Sequence, residues 1–412
     1  MVSPIPVYTL LLVSVIPLLA LAIPAAQDPQ RAQSYDMPLT WNPYGFLSEI
    51  SVGTPPQKLT VFVDWTWIGQ YILTTFCRGN SSATYTCLSK QQIFFNQTRS
   101  STFQNLTSRF SDLEWNPNHF FFYKDLNVDV ASDIMTVGPG SSRVTLQAAD
   151  FQFNNTDLTI PFSGVYGLSP VFKGDNGSIQ SPFYQAWRAG AWPEPLVAFH
   201  YCYEGSPDRD KNTCGGHDGI QTLGGYRPHL IKGDVIWYDI IHFPVVNVID
   251  FVYSPAVYNY WTLNLTRFSL GDEDQPLNKT TGAGAVFDHA SYGRGAPMSV
   301  NAYQRLIDLS GATPITLESP PNNGNQSFYQ IDCNQTEELP PLKYEFFGSD
   351  KLWEIPPSNY VEDLGDGICV FNVRTLGDGD MTIGNFGETF SKDKYVLFDF
   401  ENLKVGIADV NW

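Results

Sequence analysis

The sequence predicts a mostly β protein made of two similar lobes, on three observations. Short apolar runs with strand-like alternation recur along the chain and are separated by turn residues, with Gly and Pro abundant at 33 and 29. At 412 residues the chain is too long for one ordinary core and suits two. Finally, Val61-Phe62-Val63-Asp64-Trp65-Thr66 is echoed by Ala285-Val286-Phe287-Asp288-His289-Ala290, each an apolar strand running straight into an aspartate. Two lobes that each deliver one carboxylate from a strand end would produce that echo.

From the N-terminus, Val7 to Ile23 is almost wholly apolar and is followed by small residues, the pattern of a signal peptide cleaved between Ala22 and Gln27. No Lys or Arg precedes the run, so the free amino group is its only positive charge. A retained anchor is the alternative, but Pro17 and the shortness of the run argue against it, and no second long apolar segment or hydrophobic tail follows. The expectation is a leader over 1–26, an N-terminal lobe over 27–235 carrying Asp64 and a C-terminal lobe over 236–412 carrying Asp288, secreted and monomeric with no stable membrane anchor.

Strands are expected at Phe46 to Val52, Leu59 to Val63, Asp133 to Val137, Val235 to Ile241, Trp261 to Leu265, Ala283 to Phe287 and Tyr395 to Phe400. Helical patterns are few, the best being Ser181 to Arg188 and Val300 to Leu309.

Hydrophobic residues make up 43% of the chain and charged residues 16%, which marks a globular protein. The net charge of −18 would repel a phosphate backbone, so nucleic acid is excluded as a partner; solubility or service in an acidic medium accounts for the acidity. Sequons stand at Asn80, Asn96, Asn105, Asn154, Asn176, Asn264, Asn278, Asn325 and Asn334, and behind a leader they point to a glycoprotein of the secretory pathway. The six cysteines can form three pairs. Cys202 and Cys214, with His200 and His217, give H-x-C and C-x-x-H, but in a secreted chain a Cys202–Cys214 disulfide is the better reading than zinc. Asp363 to Gly367 and Asp378 to Asp380 lack calcium-loop spacing and read as turns. Neither a metal nor a cofactor is expected.

Tyr44 through Asp64 reads Y-G-F-L-S-E-I-S-V-G-T-P-P-Q-K-L-T-V-F-V-D. This resembles the opening of the pepsin-like aspartic peptidases, where I-G-T-P-x-Q precedes the first catalytic aspartate. The resemblance continues in order through Ser100-Ser101-Thr102-Phe103, Gly164-Val165-Tyr166-Gly167-Leu168, Leu223-Gly224-Gly225, Gly233-Asp234-Val235, Tyr260-Trp261, Ile383-Gly384-Asn385-Phe386, Phe398-Asp399 and Val405-Gly406-Ile407-Ala408. Cys333 and Cys369 match the family's second-lobe disulfide, and Cys77 and Cys87 resemble its first-lobe one. The resemblance implies two β-rich lobes around a deep cleft, an aspartate from each on the cleft floor, and a hairpin flap over the substrate.

It also implies chemistry. Two carboxylates close together share one proton and hold a water; one acts as base toward the water, the other as acid toward the peptide carbonyl. Asp64 and Asp288 would fill these roles. The family motif is D-T/S-G-T/S: the first hydroxyl locks the two lobes, the glycine N–H reaches the carboxylate, and the second hydroxyl holds its outer oxygen. Here the first copy is Asp64-Trp65-Thr66-Trp67 and the second Asp288-His289-Ala290-Ser291. Ser291 keeps one supporting hydroxyl, and His289 is a possible base. No glycine occurs between Arg109 and Gly138, so the flap is off pattern, with Tyr123 the one candidate for its tyrosine. The short stretch between Ala26 and Tyr44 leaves little room for an inhibitory pro-segment. The expected function is a homologue with impaired or lost proteolysis whose interlobe cleft takes a peptide, a protein or a small apolar ligand, with Trp65, Trp67 and Tyr123 as binding rings. The alternatives are an active aspartic endopeptidase and an acid–base enzyme acting on an apolar small molecule.

Overall fold

The computed structural model describes residues 33–42, 45–66, 70–78, 84–86, 93–109, 127–152, 162–172, 180–202, 210–241, 260–280, 282–288, 295–319, 324–376 and 379–412. Within them strands dominate and helices are short. Every strand expected from sequence is found: Gly45–Val52, Gln57–Asp64, Asn127–Val137, Ile231–Asp239, Thr262–Leu270, Gly284–Phe287 and Lys394–Asp399 contain or overlap the seven runs. Both expected helices form behind serine caps, whose hydroxyl oxygens accept a backbone N–H of the first turn. Ser181 caps Pro182–Arg188 and Ser299 caps Val300–Ser310.

The strands order into two main sheets that mirror the sequence echo. The larger joins Gly45–Val52, Gln57–Asp64, Gly164–Gly167, Gln70–Arg78, Gly140–Gln152 and Asn127–Val137, and continues through Tyr35–Asn42 into Gly219–Leu223, Leu196–Tyr201, Lys394–Asp399, Lys404–Val410 and Ile231–Asp239. The smaller runs Leu352–Ile355, Leu342–Phe346, Thr262–Leu270, Gly284–Phe287, Ile383–Phe386. The last two strands of the chain therefore lie in the same sheet as Leu196–Tyr201, which pairs antiparallel with Lys394–Asp399. The boundary expected between Val235 and Ile236 falls inside the strand Ile231–Asp239, at a shift of register between Lys232 and Ile236.

The core is rich in rings. Phe398 stacks on Trp261 with centroids 4.6 Å apart, and Phe268 on Tyr344 at 5.1 Å. The segment Ser100-Ser101-Thr102 ties the first lobe: the Thr102 hydroxyl donates to Asp133 Oδ1 (2.5 Å) and Arg143 to the Thr102 carbonyl (3.0 Å). Cys202–Cys214 and Cys333–Cys369 are disulfides. His200 lies against the first of them, its Nε2 2.7 Å from Thr213 Oγ1, while His217 is exposed, so the zinc-like spacing does not assemble a tetrahedral set among the described residues. In the turn after Asp363, the Gly365 N–H donates to Asp363 Oδ1 (2.9 Å). The pair Cys77 and Cys87 lies outside the described side chains.

Buried phenols give this core a pH limit. Burial raises Tyr71, Tyr166, Tyr344 and Tyr360, and pushes Tyr395 up to about 12. An unfolded tyrosine ionises near pH ~10, so the folded form holds its proton more tightly there. Stability from these groups is complete below pH ~10 and is lost as pH rises toward 12, Tyr395 alone accounting for about 3 kcal/mol of the loss. Phenolate absorbance should therefore rise together with loss of near-ultraviolet circular dichroism; ionisation near pH ~10 in an intact fold would contradict this.

Candidate active site

Each aspartate stands at the end of a strand with a parallel partner. Gln57–Asp64 pairs in parallel with Gly164–Gly167, placing Asp64 opposite Gly167, and the Leu168 N–H donates to the Asp64 carbonyl (2.8 Å). In the other half Gly284–Phe287 pairs in parallel with Ile383–Phe386, and the Asp288 N–H donates to the Phe386 carbonyl (3.2 Å). Glycine is required at Gly164, where a Cβ would collide with the backbone carbonyl of Tyr71. That approach brings Tyr71 beside the site: burial first, and then the charge of Asp64, raise its phenol well above the usual range.

The two carboxylates meet at Thr66. Its backbone N–H and its hydroxyl both lie 2.8 Å from Asp64 Oδ1, and the same hydroxyl lies 3.5 Å from Asp288 Oδ1. Asp64 is 2% exposed and Asp288 half-buried. Thr66 occupies the glycine position of the motif, so the backbone N–H the family takes from glycine is retained and a hydroxyl is added to it.

Trp65, expected as a binding ring, is turned the other way. It is 0% exposed, with its ring 4.8 Å from Phe199 and 5.1 Å from Phe398. The reason is the strand's period of two: Val61, Val63 and Trp65 all join the main core, and Asp64 points to the opposite face. Continuing that alternation one residue past the aspartate would have placed the indole correctly. Beneath it Phe398 stacks on Trp261, whose Nε1 donates to the Leu168 carbonyl (2.7 Å), so the Tyr260-Trp261 of the sequence supports the floor under Asp64.

Asn385 was not singled out as a site residue from sequence. Its Nδ2 donates to Asp288 Oδ2 (3.0 Å). Trp67, Tyr123, His289 and Ser291 lie outside the described residues.

The family described as eukaryotic aspartyl protease matches residues 45–410. The chain belongs to that family. It is 57% identical over 401 residues to the aspartic protease-like protein pynH of Aspergillus niger, covering 95% of this chain and 96% of the relative. It is 55% identical over 409 residues to the aspartic protease-like protein pytH of Aspergillus terreus, with the same coverage of 95% and 96%. A secreted aspartic protease, LUC8 of a Fusarium species, is 29% identical over 411 residues, covering 92% of each chain. Secretion, expected from the N-terminal segment, agrees with that name, and no helix among the described residues is long and apolar enough to cross a membrane.

If the Thr66 hydroxyl positions the pair, Thr66→Val should lower turnover by about 10²-fold with the fold intact, because one oriented donor is removed while the backbone N–H stays. Thr66→Gly, which restores the family residue, also keeps the N–H and should lose no more than Thr66→Val. Equal turnover in Thr66→Val and the parent protein would show that the hydroxyl is dispensable.

Proposed function

We propose that this secreted aspartyl-protease-family protein hydrolyses peptide bonds with Asp64 and Asp288 as its acid–base pair, at a rate below that of a member with both motifs complete. The observation that supports the reading is the Thr66 hydroxyl set between the two carboxylates. In the reaction the ionised carboxylate takes a proton from water, whose oxygen attacks the peptide carbon. The protonated partner gives its proton to the carbonyl oxygen; the carboxyl that took the water proton then passes it to the amide nitrogen while the partner takes a proton back from a hydroxyl of the adduct, and the C–N bond breaks to release amine and acid. Both carboxylates finish in the states in which the next cycle can begin.

The reduced rate follows from Trp65. In the family a hydroxyl at this position braces the two lobes; here the side chain is spent on the core. Small misplacements of reacting groups cost about 10²-fold. A cleft that binds without turnover is the second reading, and the loss of that brace is what favours it. The leader over 1–26 would be removed on secretion, and exposed sequons such as Asn105 and Asn334 would carry glycans.

Denatured globin incubated from acidic to neutral pH, with and without the statine-type inhibitor pepstatin, separates these readings. Cleavage at acidic pH that pepstatin abolishes supports hydrolysis. Tight pepstatin binding with no cleavage at any pH would establish the binding role instead, and turnover of an apolar small molecule without either would move the dyad to non-proteolytic acid–base chemistry.

A further inference from the structure

We propose that Asn385 is a positioning residue for Asp288, its side-chain amide fixing the carboxylate and favouring its ionised form. The inference deepens the hydrolytic reading above and rests on it for its catalytic consequence alone.

Asn385 lies in Ile383–Phe386, in parallel register with Val286, and the next residue, Phe386, accepts the Asp288 N–H. One strand therefore clamps Asp288 twice: the Phe386 carbonyl holds its backbone and Asn385 Nδ2 its Oδ2 at 3.0 Å. Thr66 Oγ1 stands 3.5 Å from the other oxygen, Oδ1, so contacts at both oxygens define the carboxylate plane.

The cost of this arrangement shows what it is for. Asn385 is 5% exposed, and its Oδ1 is buried without a hydrogen-bond partner. A buried carbonyl left unmet is unfavourable, and an apolar residue between its buried neighbours Gly384 and Phe386 would avoid that cost. What asparagine adds is a donor aimed at Asp288. A neutral amide N–H stabilises the ionised carboxylate more than the protonated one, and it introduces no charge of its own.

The strands and short helix of this half of the molecule carry further charged and titratable groups. Asp64 reaches it through Thr66. Glu388 begins the short helix Glu388–Ser391, Arg374 lies in Val373–Thr375 and Lys394 in Lys394–Asp399, where Lys394 donates to the Glu354 carbonyl and pairs with Asp393. Thr262–Leu270 brings Arg267, paired with Asp274, and Ala296–Met298 brings none. His289 follows Asp288 in the chain.

The test is a carbon-13 NMR titration of aspartate side-chain carboxyl carbons in the full mature protein, with the Asp288 signal identified by its loss in Asp288→Asn. Asn385→Leu removes the donor at similar size, and the isosteric Asn385→Asp replaces it with a carboxyl group. The Asp288 midpoint should move upward by about one unit in Asn385→Leu and further in Asn385→Asp. In kcat/KM the acidic limb should move in the same direction, the loss falling on kcat and KM staying within about twofold. If Asn385→Leu does not fold, Asn385→Asp decides. Unchanged midpoints in the folded variants would overturn the proposal. A parent protein without peptidase activity would overturn the hydrolytic reading alone, since the NMR midpoints do not depend on turnover.

Discussion

Asp64→Asn is expected to reduce peptide cleavage by about 10³-fold while the protein remains folded. The side chain is isosteric, and an amide oxygen can still accept from the Thr66 N–H and hydroxyl, both 2.8 Å from Asp64 Oδ1. An amide is too weak a base to take the proton of the attacking water and too weak an acid to return one to the leaving nitrogen, so the cycle of acid and base is broken at one member. Stability should hold or rise slightly at neutral pH, because two carboxylates grouped around one hydroxyl repel each other and the substitution removes one of them. Globin cleavage and thermal unfolding measured on the same preparation check both halves. Undiminished cleavage in a folded Asp64→Asn protein would assign the activity to something other than this dyad.

The sequence shows the carriers of this chemistry but not all of its supports, and the difference is physical. The V-F-V-D and A-V-F-D echo is legible because it is local, and each copy is a strand with a parallel partner. Thr66 is half legible: its presence is plain, but comparing motif positions one at a time counts the missing hydroxyl at position 67 and overlooks a neighbour folding back onto Asp64. Asn385 is harder still. Its contact with Asp288 is created by strand pairing between segments almost a hundred positions apart, and one sequence carries no register for that. The expected boundary at Val235/Ile236 lies within the strand Ile231–Asp239, at a shift of register.

Trp65 carries the second large expectation. Trp65→Ala should cost about 3–5 kcal/mol, seen as a lower thermal midpoint and a lower denaturant midpoint with the same slope. The indole is 0% exposed and packs on Phe199, Tyr201 and Phe398 at centroid distances of 4.8, 6.4 and 5.1 Å. Its removal leaves a cavity where Phe398 would lose one of its supports. Phe398 in turn stacks on Trp261, Trp261 holds the Leu168 carbonyl, and the Leu168 N–H holds Asp64. The damage should therefore reach the dyad, and activity should fall in Trp65→Ala at temperatures where the protein is still folded. Trp65→Thr, which restores the family residue, should be destabilised nearly as much, because a threonine cannot fill a space shaped by an indole. It should not regain activity, because the cavity it leaves removes support from Phe398 and so from the floor under Asp64. The opposite outcome is equally definite. A Trp65→Ala protein as stable as the parent, but with weakened ligand binding, would put the indole in the cleft and return it to the binding role the sequence first assigned to it.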